Sequence, residues 1–549
     1  MPGHMMDVPL SIISLIQYAA NYHGEVEIVS RTLENEIHRY SYRDAYIRIK
    51  KLANALKSLG IGPQDRIGTV AWNGYRHFEL YYAIPGIGAV CHTVNPRLPE
   101  AQVGATIAHA EDKIIFAEPD FVSLLEEVAE STGCVGTYVI MTDEARMPET
   151  NLANVLCYET LIAGADEDFA NQDYDWPSLD ENSAAALCYS SGTTGRPKGV
   201  LYTHRSTILH SFAACMPDNF GIASRDCVLP VVPMFHVSGW CLPYICPMVG
   251  AKLVFPGSRM DGQAIFELLD GEGVTMTAGV PTVWIMLLEH LRASGKKVPR
   301  LKRLLIGGAA VPKSMIETFE TEFGVEARQG WGMTEMSPVG TIGGLKGAQA
   351  ELSRDKQYAY KATQGRPVFG VELEIVDKSG TPLPHDGKNF GEVRVRGPWV
   401  VGEYFKDAAA NEAAFDAAGW FRTGDVSTID SDGYMRIVDR TKDVIKSGGE
   451  WISSIDIENA AVGHPEIIEA AAIALPHPKW GERPLLIAVA AEGGAPTRDG
   501  VLAYLARHLS KLEMPDDVVF VEELPHTTTG KLRKTALREM FKEHVLPTA

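Results

Sequence analysis

Short apolar runs that end in glycine, proline or histidine, with helical stretches between them, limit this chain to few folds. "DRIGTVAWN" reads as a strand, "HFELYYAIPGIGAV" as a helix running into a turn, and "KIIFAE" as a further strand. "SYRDAYIRIKKLANALKSLG" repeats apolar residues at helical spacing, with Ser41 as its cap and Gly60 as its stop. Strand, helix and strand in succession predict a parallel sheet with covering helices. The pattern resumes in "DCVLPVVPMFH", "AKLVFPG", "TMTAGVPT" and "LKRLLIGGAA". In open parallel sheets ligands bind where strands end, and the unusual residues fall at those ends. From about Gly365 the texture changes: "VELEIVD", "GEVRVRG" and "GYMRIVDR" alternate with period two, as half-buried antiparallel strands do.

A chain of 549 residues exceeds one compact unit. The predicted fold class is α/β: a large N-terminal body of parallel-sheet layers, a β-rich subdomain, and a small mobile α+β domain at the C-terminus. Net charge is −19. Such a surface repels phosphate backbones and anionic lipid, so nucleic acid and stable membrane insertion are not expected. An anionic ligand must then enter a locally positive pocket. Eight cysteines form no CxxC pair, which fits free buried thiols in a reducing cytosol. The start, "MPGHMMDVPL", lacks the basic and apolar regions of a secretory signal, and no apolar run reaches the ~20 residues that span a bilayer. A cytoplasmic protein is expected.

"YSSGTTGRPKGV", Tyr189 to Val200, gathers glycines and hydroxyls beside one lysine. Glycines let N–H groups converge on an anion, hydroxyls add donors, and Lys198 adds charge, which together make a polyphosphate cradle. The spacing differs from the common nucleotide loop, where four residues separate a glycine from Gly-Lys-Ser/Thr. A plain surface turn is the competing reading of this composition.

The stretch resembles the first signature of the adenylate-forming superfamily, which includes acyl-CoA synthetases. "GWGMTE" (Gly330 to Glu335), "GWFRTGD" (Gly419 to Asp425), "DRTKDVIKSGGEWIS" (Asp439 to Ser453) and "TTTGKLRK" (Thr527 to Lys534) resemble its later signatures in the same order. The likeness runs over nearly the whole chain. It implies a body of residues 1–438, a hinge of residues 439–442 and a catalytic-lysine domain of residues 443–549. It implies ATP, Mg²⁺ and CoA as cofactors, a small carboxylic acid as substrate, and a homodimer.

The resemblance carries roles over residue by residue. Ser190, Ser191, Gly192, Thr193, Thr194 and Lys198 would cradle the phosphates. Gly308, Ala309, Ala310, Gln329, Gly330, Gly332 and Met333 would line the nucleotide, with Trp331 offering a flat face to adenine. Thr334 would contact the α-phosphate, and Glu335 with Thr194 would hold Mg²⁺. Asp425 suits ribose hydroxyls, and Arg440 would reach ribose or phosphate. Lys531 would set its ammonium against the α-phosphate and the incoming carboxylate, offsetting their repulsion. His236, Lys531 and Glu335 make up the expected catalytic set.

Thioester formation needs a thiol where Lys531 and pyrophosphate sat, so the resemblance implies rotation of the small domain about Lys442. Lys446, Ser447, Gly448, Gly449 and Trp451 would then line the CoA path, with Lys479 and Arg483 near its nucleotide. "PMFHVSGW" would begin the acyl pocket, formed by His236, Val237, Trp240, Gly307, Met336 and Pro338. Amino-acid-activating relatives place an aspartate where His236 stands. Without it a buried substrate ammonium would go unpaired, which argues for an acid with an uncharged tail. Ala71 to Leu98 is similar to medium-chain fatty acyl-CoA ligases and to ligases of 3-methylmercaptopropionate, so a short-to-medium acid is expected. A stand-alone enzyme charging a carrier-protein phosphopantetheine, and a nucleotide-binding regulator without turnover, are the alternatives.

Overall fold

The computed structural model describes residues 3–164, 174–190, 196–448, 450–491, 493–526 and 532–549, with Trp451 described by its backbone alone. The first strand–helix alternation builds a seven-stranded sheet. Its order is Val155–Cys157, Thr137–Ile140, Ile114–Ala117, Arg66–Val70, Val90–Thr93, Ala184–Tyr189 and Gly199–Thr203. All neighbours are parallel except the last pair. The link between that pair, residues 190–198, is too short for a crossover helix, so the chain must return antiparallel. Ser190 and Lys198 thereby lie at the end of the sheet.

A second sheet has nine strands. Glu27–Arg31, Lys252–Phe255, Cys227–Pro230, Met276–Gly279, Arg303–Ile306 and Glu326–Gly332 run parallel at its centre. Ile37–Ser41 closes one edge antiparallel, and Val339–Ile342 with Arg366–Pro367 closes the other. Helices Tyr42–Ser58, Tyr75–Gly86, His204–Cys215 and Leu242–Val249 share one apolar core with residues of both sheets. Separate apolar clusters cover the outer faces, one with helices Gly262–Gly271, Pro281–Ser294 and Lys313–Glu322, the other with Glu100–Ala110 and Val122–Val128. Helix Tyr42–Ser58 begins as its sequence predicts: the Ser41 side chain accepts from the Asp44 N–H, and the Asp44 carboxylate accepts from the Ser41 N–H. Gly60 ends it with φ +77°.

The period-two segments Glu372–Val376, Phe390–Arg396, Phe421–Ile429 and Met435–Arg440 pair antiparallel in one sheet. The small C-terminal domain comes next in the chain. Its sheet joins Ile445–Ser447, Glu450–Ile452, Ile467–His477, Gly481–Ala490 and Asp517–Val521, with helices Ser454–Val462, Arg498–Leu505 and Lys534–Met540 against it. Its two apolar clusters draw only on residues from Ile445 onward.

All eight cysteines are free thiols; six are buried, but Cys134 is exposed and Cys215 half-buried, which corrects the expectation of uniform burial. Among the described residues no helix is long and apolar enough to cross a membrane.

Candidate active site

The parallel strands Cys227–Pro230, Met276–Gly279, Arg303–Ile306 and Glu326–Gly332 end on one edge, so the segments after them meet. After the first comes Val237–Cys241, a single left-handed turn with φ of 42°, 40°, 57°, 52° and 58° in order. Left-handed backbone costs about 1–2 kcal/mol at each non-glycine residue, so strong packing must hold this turn. Part of that packing is visible. A Cβ on Gly307 would stand 2.8 Å from the Trp240 ring and 3.1 Å from the Gly330 carbonyl oxygen, so the indole lies where only glycine leaves room. The Cys241 thiol donates to the Ser337 carbonyl at 3.3 Å. His236, Val237, Trp240, Gly307, Met336 and Pro338 are thus drawn into one neighbourhood, with Val237 and Met336 buried.

The "GWGMTE" segment turns tightly beside them. A Cβ on Gly332 would come within 1.9 Å of the Pro338 oxygen, and the Met333 N–H donates to that oxygen at 3.0 Å. Two tyrosines from far along the chain fix the last two residues of the segment. Tyr202 donates to the Thr334 carbonyl at 2.6 Å. Tyr404 donates to Glu335 Oε1 at 2.8 Å. The Lys198 ammonium lies 4.7 Å from the centre of the Tyr404 ring, a cation–π distance. Burial and the neighbouring Glu335 charge push the Tyr404 phenol well above its ordinary pKa, so it stays a donor. Ser190 and Lys198 close the base of the lysine stretch: the Ser190 N–H donates to the Lys198 carbonyl at 2.9 Å, and the Lys198 N–H to Ser190 Oγ at 3.2 Å.

On the far side, the Trp331 indole N–H donates to Asp425 Oδ2 at 2.9 Å, and Arg440 Nε pairs with Asp425 Oδ1 at 2.8 Å. Asp425 and Arg440 are cross-strand neighbours, so sheet register sets this pair. Trp331 is buried, its ring packed where a Cβ on Gly340 would stand 2.6 Å away. Gln329 is buried as well, and its Oε1 has no partner among the described residues. Gly308 has φ +83° and is exposed, as is Ala309, while Ala310 is half-buried.

In the small domain, the Lys446 N–H donates to Glu482 Oε2 at 2.7 Å. Gly448, φ +60°, packs against Trp480, where a Cβ would meet the ring at 2.8 Å. Arg483 does not face a ligand as expected. It is buried, paired with Asp516 at 2.7 Å, and donates to the Leu512 and Met514 carbonyls and to Ser447 Oγ. Burial, then the neighbouring Arg440 and Arg538 charges working against Asp443, depress the Lys442 ammonium. Ser191, Gly192, Thr193, Thr194, Gly449 and Lys531 lie outside the described residues.

Sequence reasoning did not single out Tyr202, Tyr404 or Trp480. Tyr404 stands 69 positions from Glu335 and Tyr202 132 from Thr334, distances at which no local spacing rule operates. Among the described residues no group of three or more His, Cys, Asp or Glu side chains is arranged to hold a metal ion.

The AMP-binding enzyme family model matches residues 16–405, and that of the AMP-binding enzyme C-terminal domain matches residues 456–531. The chain is 48% identical over 543 residues to a 3-methylmercaptopropionyl-CoA ligase of Ruegeria lacuscaerulensis, covering 99% of each. It is 46% identical over 546 residues to a medium-chain-fatty-acid–CoA ligase of Ectopseudomonas oleovorans, covering 100% of this chain and 98% of the other. A crystal structure of an anthranilate CoA ligase in complex with anthranoyl-AMP superposes with TM-score 0.86 at 21% identity, covering 98% of each chain, which shows the shared fold. Motifs, sheet architecture and these matches agree over the full length: this chain belongs to the AMP-binding enzyme family.

Proposed function

We propose that this protein is an ATP-dependent acyl-CoA ligase for a short-to-medium carboxylic acid, with 3-methylmercaptopropionate as the first acid to test. The observation that carries the reading is the convergence, at one edge of parallel strands, of Lys198, Tyr404 and Glu335 with the Trp331–Asp425–Arg440 chain. That edge offers cations and donors for a triphosphate and polar groups for a ribose. The relatives named above support the acid and the thiol.

In this reading a substrate carboxylate oxygen attacks the α-phosphorus of ATP. Pyrophosphate leaves with the electrons of the broken P–O bond, and an acyl-adenylate remains. The CoA thiol then gives its proton to solvent and attacks the acyl carbon, AMP departs with the electrons of the broken C–O bond, and the thioester forms. Lys198 with Ser190, Ser191, Gly192, Thr193 and Thr194 grips the phosphates. Gln329, Gly330, Trp331, Gly332, Met333 and the Gly308–Ala310 turn hold the base, the unpartnered Gln329 oxygen standing ready to accept from its amino group. Asp425 and Arg440 hold the ribose, Thr334 the α-phosphate, and Lys531 balances charge at the reacting centre. Mg²⁺ would sit on Glu335 and Thr194 and neutralise phosphate charge; one carboxylate with no surrounding acid cluster among the described residues fits an ion held mostly by phosphates and water. His236, Val237, Trp240, Gly307, Met336 and Pro338 wall the acyl chain.

Residues 1–438 form the body, 439–442 the hinge and 443–549 the tail domain. Rotation about Lys442 replaces Lys531 with Lys446, Ser447, Gly448, Gly449 and Trp451 for the second step. The working form is a homodimer, which light scattering tests. The activity is tested by supplying ATP, CoA and acids from acetate to decanoate, with 3-methylmercaptopropionate among them. AMP and thioester should appear together for at least one acid; no pyrophosphate with any of them overturns the proposal.

A further inference from the structure

Two carboxylates bracket the hinge. Asp439 precedes Arg440, Thr441 and Lys442, and Asp443 comes directly after them. Asp439 is only 2% exposed. Its Oδ2 accepts from the Ser454 N–H at 3.1 Å and from the Ser454 hydroxyl at 2.5 Å. Ser454 is the first residue of helix Ser454–Val462, so the carboxylate also sits at the positive end of the helix dipole. Beside it, Ser453 Oγ donates to the Val438 carbonyl at 2.6 Å, and Arg436 pairs with Asp456 at 2.6 Å.

The last helix, Lys534–Met540, grips the same place from the other side. The Lys534 ammonium donates to Ser454 Oγ and pairs with Glu458 at 2.7 Å. One turn on, Arg538 pairs with Asp443 at 2.6 Å. Burial pushes the Asp439 and Glu458 carboxyls up, and the Lys534 charge opposes it. Burial alone would lower the Lys534 ammonium; Glu458 and Asp439 overcome it and hold it above the ordinary lysine value. Removing one partner from such a set leaves a buried charge uncompensated.

These contacts divide by their relation to Lys442. Glu458–Lys534 and Asp443–Arg538 lie wholly on the tail side and would travel with the domain. The bonds of Asp439 to Ser454, and through the shared hydroxyl its link to Lys534, cross the pivot, as do the exposed Arg436–Asp456 pair and the Ser453–Val438 bond beside them; only Asp439 brings a buried charge to the crossing. A large rotation about Lys442 must break them. We propose that Asp439 is a positioning residue that latches the tail domain, through Ser454 and Lys534, in the orientation described here and so sets the balance between the two half-reactions. This rests on the two-step reading above.

The test uses full-length Asp439→Asn and Ser454→Ala, with Asp517→Asn as a tail-internal control, since Asp517 pairs only with Arg498 and His544 among the described residues. Adenylation is measured by ATP–pyrophosphate exchange, and thioester formation by supplying the acyl-adenylate with CoA. Losing a hydrogen bond to a charged group should move the two rates in opposite directions and shift their ratio about tenfold in both latch variants. Asp517→Asn should scale both rates alike. Trypsin cleavage after Lys442 should accelerate in the latch variants, a readout independent of catalysis. An unchanged ratio with unchanged cleavage, or an equal shift in Asp517→Asn, overturns the latch. A wild type that performs neither half-reaction sinks the two-step reading instead, while faster cleavage in the variants alone would still establish the latch.

Discussion

The two halves of the candidate site are held in contrasting ways. On the body side, the key groups are pinned by partners from distant parts of the chain: Trp331 by Asp425, Glu335 by Tyr404, Thr334 by Tyr202, and the Trp240 turn by Gly307 and Ser337. On the tail side, the joint to the body runs through one strand end and one helix start, Arg436–Asp439 against Ser453–Asp456. A pinned cradle beside a separate joint is what a two-step enzyme needs. The nucleotide must stay registered to the acid, while the group facing it must be exchanged.

The largest effect should come from removing the tail's contribution to the first step. Lys531→Ala should slow ATP–pyrophosphate exchange on the order of 10²–10³-fold, the scale for one charge-stabilising donor, yet spare thioester formation from supplied acyl-adenylate. Equal losses in both assays would erase the division between the halves. Lys442→Pro should do the reverse. It fixes φ at the joint, so exchange should stay within a factor of a few while thioester formation collapses. On the body side a smaller, uniform loss is expected. Tyr404→Phe keeps the ring under Lys198 but frees Glu335, and the Mg²⁺ concentration needed for half-maximal exchange should rise about tenfold. Isothermal titration of Mg²⁺–ATP should show weakened binding even without acid, and no change in either measurement would mean that the Tyr404 hydroxyl does not position Glu335.

Legibility in the sequence splits along a related line, between local and distant signals. Strand positions were legible because apolar runs and turn residues are local: Arg66–Val70, Ile114–Ala117, Met276–Gly279 and Met435–Arg440 stand where periodicity puts them. The Ser41 cap was readable for the same reason. The motif residues became meaningful only through the family resemblance. Lys198 and Glu335 lie far apart in sequence, and composition cannot say that they meet. Tyr404 and Tyr202 stayed hidden because their value comes from the tertiary fold, which no spacing encodes. Arg483 misled because a charged side chain was expected to meet the CoA nucleotide, whereas the fold sets it in strand Gly481–Ala490 and buries it on Asp516 and two carbonyls. The left-handed Val237–Cys241 turn had no signal either, since four of its five residues are not glycine.

The smallest expected effect separates the halves by pH. In the body, burial pushes His77 and His204 down to about 4 and His210 to about 3. Each is held as a neutral ring: His210 Nε2 accepts from the Val339 N–H at 3.1 Å, and His204 Nδ1 from the Ile12 N–H at 3.2 Å. An unfolded imidazole titrates near pH ~6.5, so below that the unfolded chain binds more protons than the folded one. The contribution of these three rings to body stability should therefore be full above about pH 6.5 and fall steadily toward about pH 4, offset in part by Glu118, which burial raises to about 7 and which favours the folded state on acidification. The tail carries the opposite sign. Donation to the Glu469 carboxylate raises His526, whose contribution is complete below the unfolded value and fades as pH rises through its folded one. Calorimetric scans between about pH 4 and 8 should show the body transition dropping on acidification, with the tail transition holding or rising slightly. His210→Gln should flatten the body's slope. A body transition that does not move across that range would mean that these three rings are not kept neutral by burial.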